Sequence, residues 1–474
     1  MHKQFVILPG MKHSKVIEKL EISGVSAEGK SIGKQDGKVY FVAQGAPGDI
    51  VDIRITGRRK KFFEGQIIHF HEKSADRTEP FCQHFGTCGG CKWQHIGYKS
   101  QTAHKQQHVE DNLRKISGLD LPDVMPIIDS SETQFYRNKL EFTFSNNRWL
   151  TREEIESGEE FSRNALGFHI PKRFDKILDI EKCWLQADPS NQIRLAVGEY
   201  AEKNGLAFFD IRNQEGLLRN LIIRTSTTGD LMVLVQFYYD CQEVKGLMEF
   251  LKTEFPQITS LQYIINGKGN ETFYDLPVHL YHGDEYITEE MEGLKFRIGP
   301  KSFYQTNSKQ AYELYKVARD FAGLTGDEVV YDLYTGTGTI ANFVAKKAKK
   351  VVGVESVAEA IEDAKKNSTL NGIENTTFLA GDMKDMFTNE FVNTHGQPDV
   401  IITDPPRAGM HQKVVEVLNR IKPNKLVYVS CNPATQARDL ELLSESFDVQ
   451  KIQPVDMFPQ THHVENVILL SAKS

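Results

Sequence analysis

Three observations predict an α/β protein of several domains that ends in a doubly wound parallel sheet. From Glu328 onward strand-like runs alternate with helical ones: "EVVYDLY", "KVVGVES", "TTFLAGD", "DVIITDPP" and "KLVYVSCNP", then a late pair near "VQKIQPVDMF" and "ENVILLSA". Parallel strands joined by crossover helices need this alternation. Residues 1–75 carry short strands punctuated by glycine, as a small antiparallel barrel requires. In "YRNKLEFTFSNN", Leu140, Phe142 and Phe144 alternate with Lys139, Glu141 and Thr143, so one sheet face packs and the other does not. Residues 76–97 and 124–300 therefore read as a central mixed α+β domain, with further strands in "LIIRTSTTGDLMVLVQFYY" and "SLQYIINGKG" and a charged loop at "TREEIESGEEFSRN". A chain of 474 residues is too long for a single core.

Net charge is −7, but its distribution is uneven. Residues 1–75 hold 13 Lys and Arg against 8 Asp and Glu, a net +5 inside an acidic chain. Arg58, Arg59, Lys60 and Lys61 precede Phe62 and Phe63, setting charge for phosphates beside faces for base stacking. A solvated turn with two core phenylalanines gives the same string. The order of glycines around "GAPGDIV", with this basic rim, resembles a TRAM domain, an OB-like RNA-binding barrel. The sequence has no leader-like segment and no apolar run approaching a membrane span, so a cytoplasmic protein without disulfides is expected.

In "EPFCQHFGTCGGCKWQH", Cys82, Cys88 and Cys91 follow a C-x5-C-x2-C spacing that suggests a metal centre. A fourth ligand must come from Cys183, Cys241 or Cys431. Cys183 lies beside charge and Trp184 in "DIEKCWLQ" and is the choice here, whereas Cys241 ends an apolar strand. Thiolates suit zinc and iron–sulfur clusters alike, and the lack of a second C-x2-C pair favours iron and sulfur.

Ligands of a doubly wound sheet bind at the carboxyl ends of its strands. The first strand ends in "DLYTGTGT", where Gly336 and Gly338 let a ligand approach the backbone. The third glycine of the dinucleotide fingerprint is missing, its place taken by Ala341. Glu355 ends the second strand, where a carboxylate can accept two ribose hydroxyls, and Asp382 ends the third, where it can receive an adenine amino group. With no phosphate motif, S-adenosylmethionine is the expected ligand, and Asp404 in "TDPPRAG" faces it. Arg407 stands where amino methyltransferases carry an aromatic, which counts against amine methylation.

Cys431 follows the fifth strand at the same rim. Carbon 5 of uracil is a poor nucleophile until a thiolate adds to carbon 6, so a cysteine at this address points to pyrimidine methylation. A base must then remove the hydrogen on carbon 5, and Glu465 in "DMFPQTHHVENV" is placed to do so.

Taken in order, "SFYQTN", "DLYTGTG", "DPPRAG", "SCNPAT" and "DMFPQTHHVE" resemble the RNA uracil-5-methyltransferases, over nearly the whole chain. The resemblance implies a class I S-adenosylmethionine-dependent methyltransferase domain, Rossmann-like in winding. It implies Cys431 as nucleophile and Glu465 as proton acceptor, with Gln305, Tyr334, Thr339, Glu355, Asp382 and Asp404 around the donor. Relatives commonly show "CGxGN" where this chain has Thr335 and Thr339. Members carrying both a TRAM domain and cluster cysteines mostly resemble enzymes acting on 23S rRNA. They place a 4Fe-4S cluster on four cysteines, here Cys82, Cys88, Cys91 and Cys183, and their central domain interrupts the catalytic one. Residues 98–123 are then expected to join 301–474, in a chain acting on RNA as a monomer, away from membranes. Two other classes compete with this reading. A methylthiotransferase would typically show C-x3-C-x2-C and a TRAM domain at its end; a non-catalytic RNA-binding factor, like a transfer-RNA enzyme of the same fold, is the remaining alternative.

Overall fold

The computed structural model describes residues 15–474; residues 1–14, with Lys3 and Lys12 of the basic count, lie outside the described residues. The described residues form two compact units, one made of 15–86 with 90–104 and 460–462, the other of the remainder.

The first unit holds a closed barrel of β1 (Val16–Val25), β2 (Ser31–Gln35), β3 (Lys38–Ala43), β4 (Ile50–Arg58) and β5 (Phe63–Glu72), in the order β1-β2-β3-β5-β4. It differs from the expected all-antiparallel barrel in one pair, since β3 and β5 run parallel. Five strands cannot alternate direction all the way round a closed ring, so one parallel pair is obligatory. Ile17, Leu20, Ile22, Tyr40, Val42, Val51 and Ile53 fill the interior. Ile17 and Leu20 point the same way although three residues apart because a bulge, with Lys19 at φ 48°, intervenes. Gly33 faces Leu20 so closely that a Cβ would sit 2.7 Å from its Cγ.

Helix α1 spans Tyr98–Ser117. Strand β6 (Lys139–Ser145) follows, then α2 (Arg152–Ser157), β7 (Ala165–Ile170), β8 (Arg173–Asp179), α3 (Ser190–Lys203), β9 (Leu218–Thr225), β10 (Leu231–Phe237), α4 (Gln242–Glu254), β11 (Ser260–Ile265) and β12 (His279–Gly283). The strands form one sheet in the order β12-β11-β10-β9-β6-β7-β8, with only β10 and β11 parallel, joined by the crossover α4. Helix α2 corrects the reading of "TREEIESG" as a loop: Thr151 and Glu154 form a capping box and Gly158 ends the helix at φ 70°.

A hairpin of β13 (Ile287–Met291) and β14 (Leu294–Ile298) precedes α5 (Ser308–Ala322). Then come β15 (Val329–Leu333), α6 (Thr339–Ala345), β16 (Lys350–Glu355), α7 (Ala358–Leu370), β17 (Thr376–Ala380), α8 (Met383–Met386), α9 (Asn389–His395), β18 (Val400–Thr403), α10 (Gln412–Ile421), β19 (Lys425–Ser430), α11 (Pro433–Leu443), β20 (Phe447–Val455) and β21 (Glu465–Ala472). The sheet order is β17-β16-β15-β18-β19-β21-β20, parallel through β19, with β21 antiparallel to both neighbours. Chain order reverses between β15 and β18, which opens a crevice beyond their carboxyl ends. Each sheet face has its own core. Leu314 and Phe321 of α5 and Phe343 of α6 pack on one face, while Leu418 of α10 and Val109 and Leu113 of α1 pack on the other. Lys105, fully buried on α1, pairs with Asp456 at 2.5 Å.

Candidate active site

The loop after β15 is bent by three left-handed residues, Tyr334 at φ 67°, Gly336 at φ 55° and Gly338 at φ 76°. Tyr334 and Thr335 both donate their N–H to the Val354 carbonyl at 3.0 Å, which ties the loop to β16. At Gly338 a Cβ would lie 2.8 Å from the Ala364 Cβ, so the loop closes only with glycine there. Gly336 donates its N–H to Glu355 Oε2 at 3.2 Å, and the other carboxylate oxygen accepts from Ser356 Oγ and the Val357 N–H. Thr339 is buried at the start of α6, 3.4 Å from the Thr337 hydroxyl. Asp382 caps α8 and is exposed; its hydrogen bond from Lys384 holds the carboxyl below its usual value. Burial pushes the Tyr334 hydroxyl up to about 12, and Asp382 and Glu355 both act on it, so the ends of β15, β16 and β17 share one rim.

Asp332, overlooked in the sequence, organises this loop from below. It is fully buried; Oδ2 accepts from the Ala341 N–H at 3.0 Å and from the Thr335 hydroxyl. Burial pushes its carboxyl up to about 7, with Asp404 and Glu355 adding to the rise. The available signal was an acid inside the otherwise apolar strand "EVVYDLY".

At the ends of β18, β19 and β21 a second group gathers. Asp404 follows β18, and burial pushes its carboxyl to about 7. The turn beyond it docks onto the start of α11: the Arg407 carbonyl accepts from Asn432 Nδ2 at 3.0 Å and from Thr435 Oγ1 at 3.2 Å. Asn432 caps α11 and Pro433 fills its first turn, which leaves Cys431 between strand end and helix start. This docking brings the Arg407 side chain near enough to act on the Cys431 thiol. Burial raises the thiol to about 11, the charges of Glu465 and Asp404 add to the rise, and Arg407 opposes it. Glu465 is 5 % exposed at the first residue of β21. Burial first, then Asp404, lifts its carboxyl well above the ordinary range, again against Arg407. Cys431, Glu465, Asp404 and Arg407 thus form one electrostatic group, and Arg407 was not singled out as a site residue from the sequence. Gln305, buried ahead of α5, is anchored through its carbonyl, which accepts from Asn138 Nδ2 at 2.9 Å.

A thiol beside a guanidinium can be drawn toward thiolate, and a buried carboxylate of raised proton affinity can take a hydrogen from carbon. Cys88 and Cys183 both pack against Ile170, Leu178 and Ile180. Asn191 fixes Cys183 by accepting from its N–H at 2.7 Å and donating to its carbonyl at 3.1 Å. The Cys82 N–H donates to Gln94 Oε1 at 3.1 Å, and burial raises its thiol. Among the described residues no three His, Cys, Asp or Glu side chains converge as a metal-holding group. None of the described helices is long and apolar enough to cross a membrane.

Residues 278–473 match the family model described as tRNA (uracil-5-)-methyltransferase, and residues 17–68 match the TRAM domain. An uncharacterized RNA methyltransferase of Bacteroides thetaiotaomicron is 59% identical over 454 residues, covering 95% of this chain and 100% of the relative. A protein with the same description from Porphyromonas gingivalis is 56% identical, covering 95% of this chain and 99% of its own. Among solved structures, the tRNA (uracil-54, C5)-methyltransferase of Pyrococcus abyssi in complex with S-adenosyl-L-homocysteine aligns with a TM-score of 0.74 and 26% identity, over 95% of this chain and 100% of that one. A barrel of TRAM type, a methyltransferase sheet with its glycine loop, and relatives that cover 95% of the chain agree: the chain belongs to the RNA uracil-5-methyltransferase family, whose members act with S-adenosylmethionine.

Proposed function

We propose that the protein methylates carbon 5 of a uridine in 23S rRNA through a covalent adduct, acting as a monomer in the cytoplasm. The observation that carries this reading is the grouping of the Cys431 thiol, Arg407, Asp404 and Glu465 at the ends of three neighbouring strands. Cys431, as thiolate held by Arg407, adds to carbon 6 of the uracil, and carbon 5 becomes enolate-like. S-adenosylmethionine, when bound, supplies the electrophilic methyl that carbon 5 takes. Gly336, Gly338, Glu355 and Asp382 would hold its adenosine, with Gln305, Tyr334, Thr339 and Asp404 completing the pocket. Glu465 removes the hydrogen from carbon 5, and elimination releases the cysteine.

Residues 98–123 belong in this reading with 301–474 as one catalytic domain, a view supported by the packing of Val109 and Leu113 beside Leu418. Residues 76–97 and 124–300 form the central domain and 1–75 the barrel. The donor set of Cys82, Cys88, Cys91 and Cys183 would hold a 4Fe-4S cluster, and the apolar wall shared by Cys88 and Cys183 suits a buried thiolate-ligated group. Its role is structural or RNA-positioning, because this methyl transfer moves no electrons.

Nucleoside mass spectrometry of ribosomal and transfer RNA from cells lacking the gene tests the substrate. Loss of 5-methyluridine from 23S rRNA is the expected result. Loss from transfer RNA alone selects the second reading, which the family model's description and the Pyrococcus structure favour; no loss from either RNA rejects both.

A further inference from the structure

Phe135 has a left-handed backbone, φ 55°, which a bulky aromatic residue rarely adopts. It is held there on both sides. The Phe135 N–H donates to the Trp184 carbonyl at 2.8 Å and the Arg137 N–H to the Leu185 carbonyl at 2.7 Å, while Tyr136 Oη donates to the Pro459 carbonyl at 2.9 Å. Strain of this kind persists only where the surroundings over-determine it, and it concentrates at sites with a task.

Its result is a ring 37 % exposed, 5.6 Å from the Trp184 ring. Above the pair lies Lys182, exposed, with Nζ 3.9 Å from the Trp184 centroid and 6.0 Å from that of Phe135. A cation over two aromatic faces gives an anchor for a phosphate and a surface for a base. The platform is also continuous with the site. Asn138, three residues and thus at most about 10 Å of chain from Phe135, donates its N–H to the Thr306 carbonyl and its Nδ2 to the Gln305 carbonyl.

We propose that Phe135, Trp184 and Lys182 form a subsite for an unpaired nucleotide flanking the target uridine, with its base stacked on the Phe135 ring and its phosphate on Lys182. This rests on RNA being the substrate, as proposed above. The occupant is RNA rather than an apolar peptide because the cation stands directly over the rings.

Fluorescence anisotropy of the full chain with a labelled 12-nucleotide oligouridylate, and with an abasic ribose-phosphate chain of equal length, separates the two contacts. Phe135→Gly, which also removes the backbone strain, should weaken oligouridylate binding about tenfold and leave the abasic chain unaffected. Lys182→Ala should weaken both and lower the salt slope by about 0.7. Phe135→Tyr should restore wild-type binding where Phe135→Leu does not; this pair decides the matter if the glycine variant fails to fold. Equal affinity of Phe135→Gly, or of Phe135→Leu, and wild type for oligouridylate overturns the subsite. The binding arms stand whether or not 5-methyluridine forms, so the subsite and the proposed reaction fail separately.

Discussion

Cys431 sits in opposed fields: burial, Glu465 and Asp404 raise its thiol to about 11, and only the Arg407 guanidinium pulls the other way. Arg407→Ala should therefore lift the thiol further, cut the methylation rate at pH 7 by tenfold or more, and move the rising limb of the pH–rate profile to higher pH. A profile of unchanged shape would mean that Arg407 does not tune the nucleophile. Cys431→Ala should abolish both product and covalent RNA adduct while RNA affinity, read by gel shift, stays within a few-fold. Glu465→Gln should instead trap an adduct that already carries the methyl, visible by mass spectrometry of the protein–RNA conjugate; release of product at the wild-type rate would remove Glu465 as the base. Cys431 and Glu465 were legible because each lies in a local string whose strand-end position follows from periodicity. Arg407 was not, because its approach to Cys431 depends on Asn432 and Thr435 gripping its carbonyl, a loop-to-loop contact with no trace in spacing.

At the scale of elements, the turn from β15 into α6 is set by one atom that is missing. Gly338→Ala would place a methyl 2.8 Å from the Ala364 Cβ at φ 76°, so clash and backbone strain act together. The expected cost is about 1–3 kcal/mol of stability, with donor affinity lost more than tenfold by calorimetry. Alanine at Gly336, where no atom lies within 4 Å of a Cβ, should cost less. A second element-scale case is the Lys105–Asp456 pair, both side chains fully buried. Lys105→Ala takes the ammonium away from the buried Asp456 carboxylate, which keeps the Phe458 N–H at 3.1 Å, and should lower stability by about 3–5 kcal/mol; a change below about 1 kcal/mol in urea unfolding would show that water replaces the ammonium. The strands of the doubly wound sheet were readable because their apolar runs are long and separated by helical lengths. The order of the central sheet was not, since pairing β6 with β9 across two strands and two helices depends on side-chain packing rather than period. The capping box of α2 was in plain view as Thr151 and Glu154, yet lost to the charge density around it.

Over the molecule as a whole, the rim carboxyls make stability depend on pH in a predictable direction. Asp332 and Asp404 are pushed by burial to about 7, and burial also lifts Glu465 well above its ordinary range. A carboxyl whose folded pKa exceeds its unfolded one binds more protons in the native state, so its contribution is complete below about pH 4 and fades as pH rises through the folded value. Glu328 shows the reverse: hydrogen bonds from Thr325 and Gly326 outweigh burial and hold it near 2. The contribution of Glu328 is present above about pH 4.5 and vanishes only in acid. The two sets together place maximum stability at about pH 4, with a decline toward pH 8 that exposed ion pairs do little to offset. Asp332→Asn keeps an acceptor for the Ala341 N–H but cannot ionise, so it should raise the melting temperature at pH 8 and leave it nearly unchanged at about pH 4. The double variant Asp332→Asn/Asp404→Asn should flatten the slope further, with loss of methylation as the accompanying cost. Calorimetric scans at half-unit steps from about pH 4 to pH 8 read the slope directly. A wild-type melting temperature that rises across that range would mean that these carboxyls are ionised in the folded protein, and the paired charges of the rim would then have to be compensated by Arg407 alone.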